Sequence, residues 1–264
     1  MPLRTGAHAE RITRVRELQT GRGRREQGRF VLEGPTLLNE ALDSGCEVLE
    51  LYATETAFES IPLIEELEGR GVGVFIIEDR VAGRLSALET PPGLIAVAPT
   101  RFASVRRLLE DPLTLALADV NDPGNAGTLI RSAAAFGATG MIFGRFGADP
   151  YQPKVVRASM GAIFRIPFAV ATADDVLPEL GRTGRAFAGL ASDGEPIGPD
   201  TFHGMAGLVV GNERRGLGHW GPLCGCRVSI PMRDSMESLN AGIAGSIALY
   251  EASKSLEVRR RGLL

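Results

Sequence analysis

Residues 113–131 read LTLALADVNDPGNAGTLIR, and the fold class turns on them. Residues 113–120 form a near-continuous apolar run that ends in Asp119 and Val120. Apolar residues without alternation fit a strand buried on both faces, as parallel strands usually are. Asn121-Asp122-Pro123-Gly124-Asn125 then makes a turn, and residues 126–136 have helical spacing stopped by Gly137. A buried strand, a turn and a helix in that order open a parallel α/β sheet.

The alternation continues towards the C-terminus. Strands are expected at 141–143, 166–170, 186–190, 207–210 and 227–230, and helices at 154–162, 174–180 and 239–256. Towards the N-terminus, residues 30–98 alternate shorter elements. Strands are expected at 30–32, 48–53, 72–77 and 94–98, helices at 35–42 and 61–69, and a turn at Pro91-Pro92-Gly93. The chain is therefore expected to be α/β throughout. A small domain with a basic arm spans 1–98, a connector with a short helix at 105–109 spans 99–112, and a mostly parallel-sheet domain spans 113–264.

The bulk numbers are those of an ordinary globular chain: 264 residues, 44% hydrophobic, 23% charged. They exclude collagen, disorder and a disulfide-stapled mini-protein. Three cysteines, Cys46, Cys224 and Cys226, make no disulfide framework and suggest a reducing compartment. No secretory leader and no apolar stretch near the roughly 18 residues of a membrane span is apparent, so a cytoplasmic protein without a membrane partner is expected. Cys224-x-Cys226 has no second pair and no usable histidine spacing, so no metal is expected.

A net charge of −3 taken alone argues against a nucleic-acid partner. The charge is segregated, however. Residues 1–30 carry eight arginines and three glutamates, net +5, whereas 31–110 carry fourteen acids and six arginines, net −8. Arg259-Arg260-Arg261 is basic again. The N-terminal stretch is either an arm that meets an anion or a solvated amphipathic helix.

Only five asparagines occur, and four of them, Asn121, Asn125, Asn212 and Asn240, follow apolar strands or open helices. Those are the positions where an open α/β sheet presents its ligand-binding loops. Arg131 follows Asn125 on the next helix, suited to a phosphate rather than to the helix dipole. Gly211-Asn212-Glu213 ends a second strand. The third cluster runs from Ile230-Pro231-Met232 to Glu237-Ser238-Leu239-Asn240, with Ser235 or Ser238 as candidate helix caps. Leu239, Ile243, Ile247 and Tyr250 make an apolar stripe for a core or an interface, and Gly242 and Gly245 permit close packing. There is no phosphate loop, dinucleotide fingerprint, nucleophile elbow or zinc-protease motif.

Asn125 to Arg131, Gly211-Asn212-Glu213 with Gly216-Leu217, and Ile230-Pro231-Met232 followed by Glu237 to Asn240 together resemble the signature of the SpoU (TrmH-type) RNA 2′-O-ribose methyltransferases. Gly28-Arg29-Phe30-Val31-Leu32-Glu33-Gly34 is similar to the ribosomal-protein-like α/β/α substrate domain of that family's two-domain members. The resemblance implies a C-terminal domain with a deep trefoil knot, a homodimer and S-adenosylmethionine as methyl donor. It implies Asn125, Arg131, Glu213, Ser238 and Asn240 as the catalytic set. Leu190, Gly211, Ile230, Met232, Leu239 and Asn240 would bind the donor, and Arg22, Arg24, Arg25, Arg29 and Arg157 would contact RNA. Arg131 is the family's candidate for taking the 2′-hydroxyl proton; an always-protonated guanidinium suits phosphate binding and charge stabilisation equally. Two-domain members are associated with ribosomal RNA, some with antibiotic resistance, so structured ribosomal RNA is the expected substrate. Transfer RNA methylation and a non-catalytic RNA binder are the alternatives.

Overall fold

A computed structural model describes residues 3–4, 10–198, 200–233 and 238–260. In chain order the first elements are β1 (Leu3–Arg4), α1 (Glu10–Glu17), α2 (Gly21–Gln27), β2 (Arg29–Glu33), α3 (Pro35–Asp43), β3 (Glu50–Ala53), α4 (Glu55–Ser60), α5 (Pro62–Gly69), β4 (Gly73–Ile76), α6 (Asp79–Leu85) and β5 (Leu94–Pro99). The strands form a sheet in the order β1-β4-β3-β5-β2; β5 runs antiparallel to both its neighbours and the other pairs are parallel.

From Glu10 onward the basic arm is neither free nor merely solvated. Ile12, Val15 and Leu18 lie on one side of α1 and the residues just after it, and they pack with Val31, Tyr52, Phe75 and Val97 in a buried cluster. Removing that apolar surface from water seats the helix on the sheet and leaves its arginines at the margin. α2 closes on α1 so tightly that a Cβ on Gly23 would lie 2.2 Å from the Glu17 carbonyl oxygen.

The chain continues through α7 (Val105–Leu108), β6 (Thr114–Ala118), α8 (Pro123–Ala135) and β7 (Gly140–Gly144). After α9 (Pro153–Ala158) and a short 3-10 turn (Ala162–Phe164) come β8 (Phe168–Ala171), α10 (Ala173–Thr183), β9 (Phe187–Pro196), β10 (Gly207–Gly211), a 3-10 turn (Gly218–Leu223), β11 (Cys224–Ser229) and α11 (Ala241–Arg260). β6 to β11 form a six-stranded sheet, all parallel, in the order β11-β9-β10-β6-β7-β8. Every residue of β6 is buried, on both faces, as its unalternating sequence requires.

Two compact units result: Met1–Arg101 with Tyr151–Phe164, and Phe102–Pro150 with Arg165–Leu264. The division differs from the sequence-based one at residues 151–164, which lie inside the second stretch of sequence but pack with the first unit. The cause is local. The Tyr151 ring sits 4.3 Å from that of Phe30, its hydroxyl donates to the Arg101 carbonyl at 2.8 Å, and α9 lies against β2. No described helix is long and apolar enough to cross a membrane.

Candidate active site

In the second unit three loops meet at the carboxyl end of the parallel sheet. The first follows β6. Asp119 adopts φ 53° there, turning the chain at once, and its Oδ1 accepts from the Phe146 amide at 3.2 Å. Asp122 caps α8 by accepting from the Asn125 amide at 2.7 Å, and Pro123 occupies the first turn, where no amide hydrogen is needed. Asn125 is thereby fixed at the helix start, 8% exposed.

The second loop follows β10. Asn212 and Gly216 exchange backbone hydrogen bonds of 2.9 Å, closing a tight turn. A Cβ on Gly211 would lie 2.5 Å from the Gly216 carbonyl carbon, so only glycine fits. The Asn212 side chain accepts from the amides of Arg214 and Arg215, and its Nδ2 donates to the Asp119 carbonyl at 2.9 Å. One amide side chain therefore shapes its own loop and ties it to the first. Glu213 reaches across: Asn125 Nδ2 donates to its Oε1 at 2.5 Å.

The third loop leads into α11. Asn240 Oδ1 accepts from the Gly242 and Ile243 amides at 2.9 and 3.2 Å, so Asn240 is the N-cap. This corrects the expectation of a serine cap. Ser238 lies too far back along the chain; Ser235 and Glu237 lie outside the described residues. A Cβ on Gly242 would lie 3.1 Å from both Asn125 Oδ1 and Asn240 Oδ1, and one on Gly245 would strike Leu129 at 2.5 Å and Val210 at 2.9 Å. The absence of these side chains lets α11 lie against α8 and β10. Ser132 and Ser246 hydroxyls bridge the helices at 2.6 Å. Asn125, Glu213 and Asn240 are brought together by this packing.

Beside them opens a cavity of about 190 Å³ whose walls include Leu190, Gly211, Ile230, Met232, Ser238 and Leu239. Ala191, Ser192, Ala241 and Ala244 also line it. Small residues like these carry no chemical signal in a sequence: Ala241 and Ala244 read only as positions that permit close packing, and Ala191 and Ser192 go unremarked. Among the described lining residues Glu213 is the only charged side chain.

Arg131 stands apart. It is exposed, makes no hydrogen bond or ion pair with another described residue, and lies more than two turns into α8. The helix dipole therefore has little bearing on it.

The five arginines expected to contact RNA separate. Arg24 is 5% exposed, and its Nη1 donates to the Leu18 carbonyl at 2.8 Å, so it braces α1 against α2 and does not face a ligand. Arg157 turns inward, with Nη1 buried 3.7 Å from Glu33. Arg22 is exposed and paired with Glu26 at 2.7 Å, Arg25 is exposed, and Arg29 is half-buried 3.5 Å from Glu50. The side chains of Arg259 to Arg261 lie outside the described residues. Among the described residues no three metal-ligating side chains converge. Cys224 is free, and burial pushes its thiol up to about 11.

Residues 112–250 match the SpoU rRNA Methylase family, and residues 9–96 match the MRM3-like substrate binding domain. A 23S rRNA (adenosine(1067)-2′-O)-methyltransferase of Streptomyces laurentii is 30% identical over 85% of this chain and 86% of its own length. An S-adenosylmethionine-bound rRNA methyltransferase from Sinorhizobium meliloti superposes with a TM-score of 0.81, at 28% identity, over 99% of both chains. The SpoU methyltransferase AviRb of Streptomyces viridochromogenes, also solved with that cofactor, gives 0.82 at 30% identity over 96% of this chain and 98% of its own.

Proposed function

Since the chain belongs to the SpoU rRNA Methylase family, we propose that it methylates a ribose 2′-hydroxyl of ribosomal RNA, with S-adenosylmethionine as donor. The observation that carries this reading is the meeting of Asn125, Glu213 and Asn240 beside the cavity at the carboxyl end of the sheet.

The cavity suits the donor. Leu190, Ile230 and Leu239 offer apolar surface to a purine, Gly211 leaves backbone accessible, and the described lining has no cation to oppose a sulfonium. Bound there, S-adenosylmethionine supplies an electrophilic methyl group. The chain's own residues place the acceptor. Asn125, held by Glu213, and Asn240 frame the acceptor side, with Ser238 in the adjoining wall. Arg131, exposed and without an ion pair to another described residue, grips the RNA phosphate and stabilises the charge that develops on the 2′-oxygen. Holding donor and acceptor in line supplies much of the acceleration.

The proposal includes a homodimer in the cytoplasm. Ile243, Ile247 and Tyr250 leave 52%, 37% and 48% of their surface open along one side of α11, a costly stripe for a helix facing water. It also includes the family's trefoil knot. The substrate domain and the names of the full-length relatives favour ribosomal over transfer RNA. Transfer of labelled methyl from S-adenosylmethionine to purified ribosomal RNA tests the reading; label on transfer RNA alone would redirect it.

A further inference from the structure

The first unit holds a second cavity, of about 220 Å³, walled by Arg11, Arg14, Gln27, Arg29 and Glu50 over a floor that includes Val97. We propose that it is a nucleotide-binding pocket for the RNA substrate, with Arg11, Arg14 and Arg29 on a backbone phosphate and Glu50 accepting a hydrogen bond from the same nucleotide. The inference rests on the proposed function and assigns its RNA recognition to residues other than Arg22 and Arg24.

Three observations carry it. The guanidinium groups come from separate elements, α1 for Arg11 and Arg14 and β2 for Arg29, so folding and not sequence proximity gathers them. The Arg11 guanidinium is also held in place, 3.9 Å over the Phe75 ring, and Gln27, itself in the cavity wall, donates to the Arg14 carbonyl at 2.9 Å, pinning α2 to α1. Arg14 is exposed and forms no ion pair with another described residue. Glu50, finally, is held by its own partners: it accepts from the Tyr52 hydroxyl and from Arg29 at 3.5 Å. Burial keeps Tyr52 protonated and hence a donor.

A carboxylate with its remaining lone pairs turned to a cavity repels a bare anion and welcomes a hydroxyl or amine donor. A ribose 2′-hydroxyl or a base amine attached to the bound phosphate answers to that description; free phosphate, whose P–OH can also donate, is separated from it by the binding test. Three positive charges against one negative charge fit a ligand that is anionic at one end and a hydrogen-bond donor at the other.

The test is filter binding of the full-length protein to in vitro transcribed 23S ribosomal RNA across a salt series. Arg14→Ala and Arg29→Ala should each weaken binding about tenfold and lower the slope of log K against log salt by about 1, as loss of a phosphate contact does. Arg14→Lys should fall between, keeping charge but not the fork. Arg70→Ala, in an exposed pair with Glu66 just past the end of α5, should match wild type in binding and slope. Wild-type and variant binding and slopes that coincide, while wild-type enzyme methylates RNA, would overturn the pocket alone. Saturable binding of inorganic phosphate with RNA affinity unchanged in the variants would overturn it too, making it a small-anion site. Wild-type enzyme that leaves ribosomal RNA unmethylated would instead overturn the proposed function.

Discussion

Replacing Arg131 by alanine removes an exposed side chain with no hydrogen bond or ion pair to another described residue, so its loss reports chiefly on chemistry. The expected result is donor binding within about twofold of wild type and methyl transfer reduced by about 10² to 10³, the usual cost of removing a preorganised charge stabiliser. Calorimetry and single-turnover transfer measure the two; lost donor binding with intact turnover would reject the role. Arg24→Ala should behave in the opposite way. It leaves the Leu18 carbonyl without its donor and should lower stability by about 1–3 kcal/mol in denaturant unfolding. The contrast marks what is legible at this scale. Asn125, Asn212, Glu213 and Asn240 stand out because they fall after strands or at helix starts, where an open α/β sheet presents its ligand-binding loops. Arg24 does not, because nothing in its neighbours along the chain announces that α1 will pack over it.

At the scale of elements, the parallel strands were readable wherever both faces are buried, β6 above all. The far half of β9 was not. Asp193 and Glu195 are exposed and carry no strand pattern; pairing with β11, Glu195 opposite Val228, holds them extended. α2, α4 and α6 were also missed. Two predictions belong here. Asn240→Ala deprives α11 of its cap and should cost about 1 kcal/mol, seen as a lower melting temperature, in addition to any loss of transfer. Cys224, at the start of β11, holds its proton to about 11 instead of the ordinary 9.0 because it is partly buried. Its contribution to stability is therefore complete below pH 9 and is lost as pH rises from 9 towards 11, since the unfolded chain ionises first. Native protein at pH 8 should accordingly react with a thiol reagent at Cys224 far more slowly than unfolded protein. Equal rates would show that the buried thiol is accessible.

For the whole molecule, the net charge of −3 says little about the partner, because folding gathers Arg11, Arg14 and Arg29 at one cavity with Glu50 as the only acid among its described lining residues. Assembly is read from the open stripe on α11. Ile243→Glu combined with Ile247→Glu should give a monomer by sedimentation velocity while circular dichroism stays that of wild type; an unchanged dimer would place the interface elsewhere. The proposal as a whole rests on methyl transfer to a ribose, and site mapping tests it most directly. Ribosomal RNA from cells with and without the gene is compared nucleotide by nucleotide for 2′-O-methylation, and the gene is restored as wild type or as Arg131→Ala. The account predicts a ribosomal 2′-O-methyl group that disappears with the gene, returns with the wild-type copy and does not return with Arg131→Ala. Identical ribosomal methylation in all these cells would contradict it.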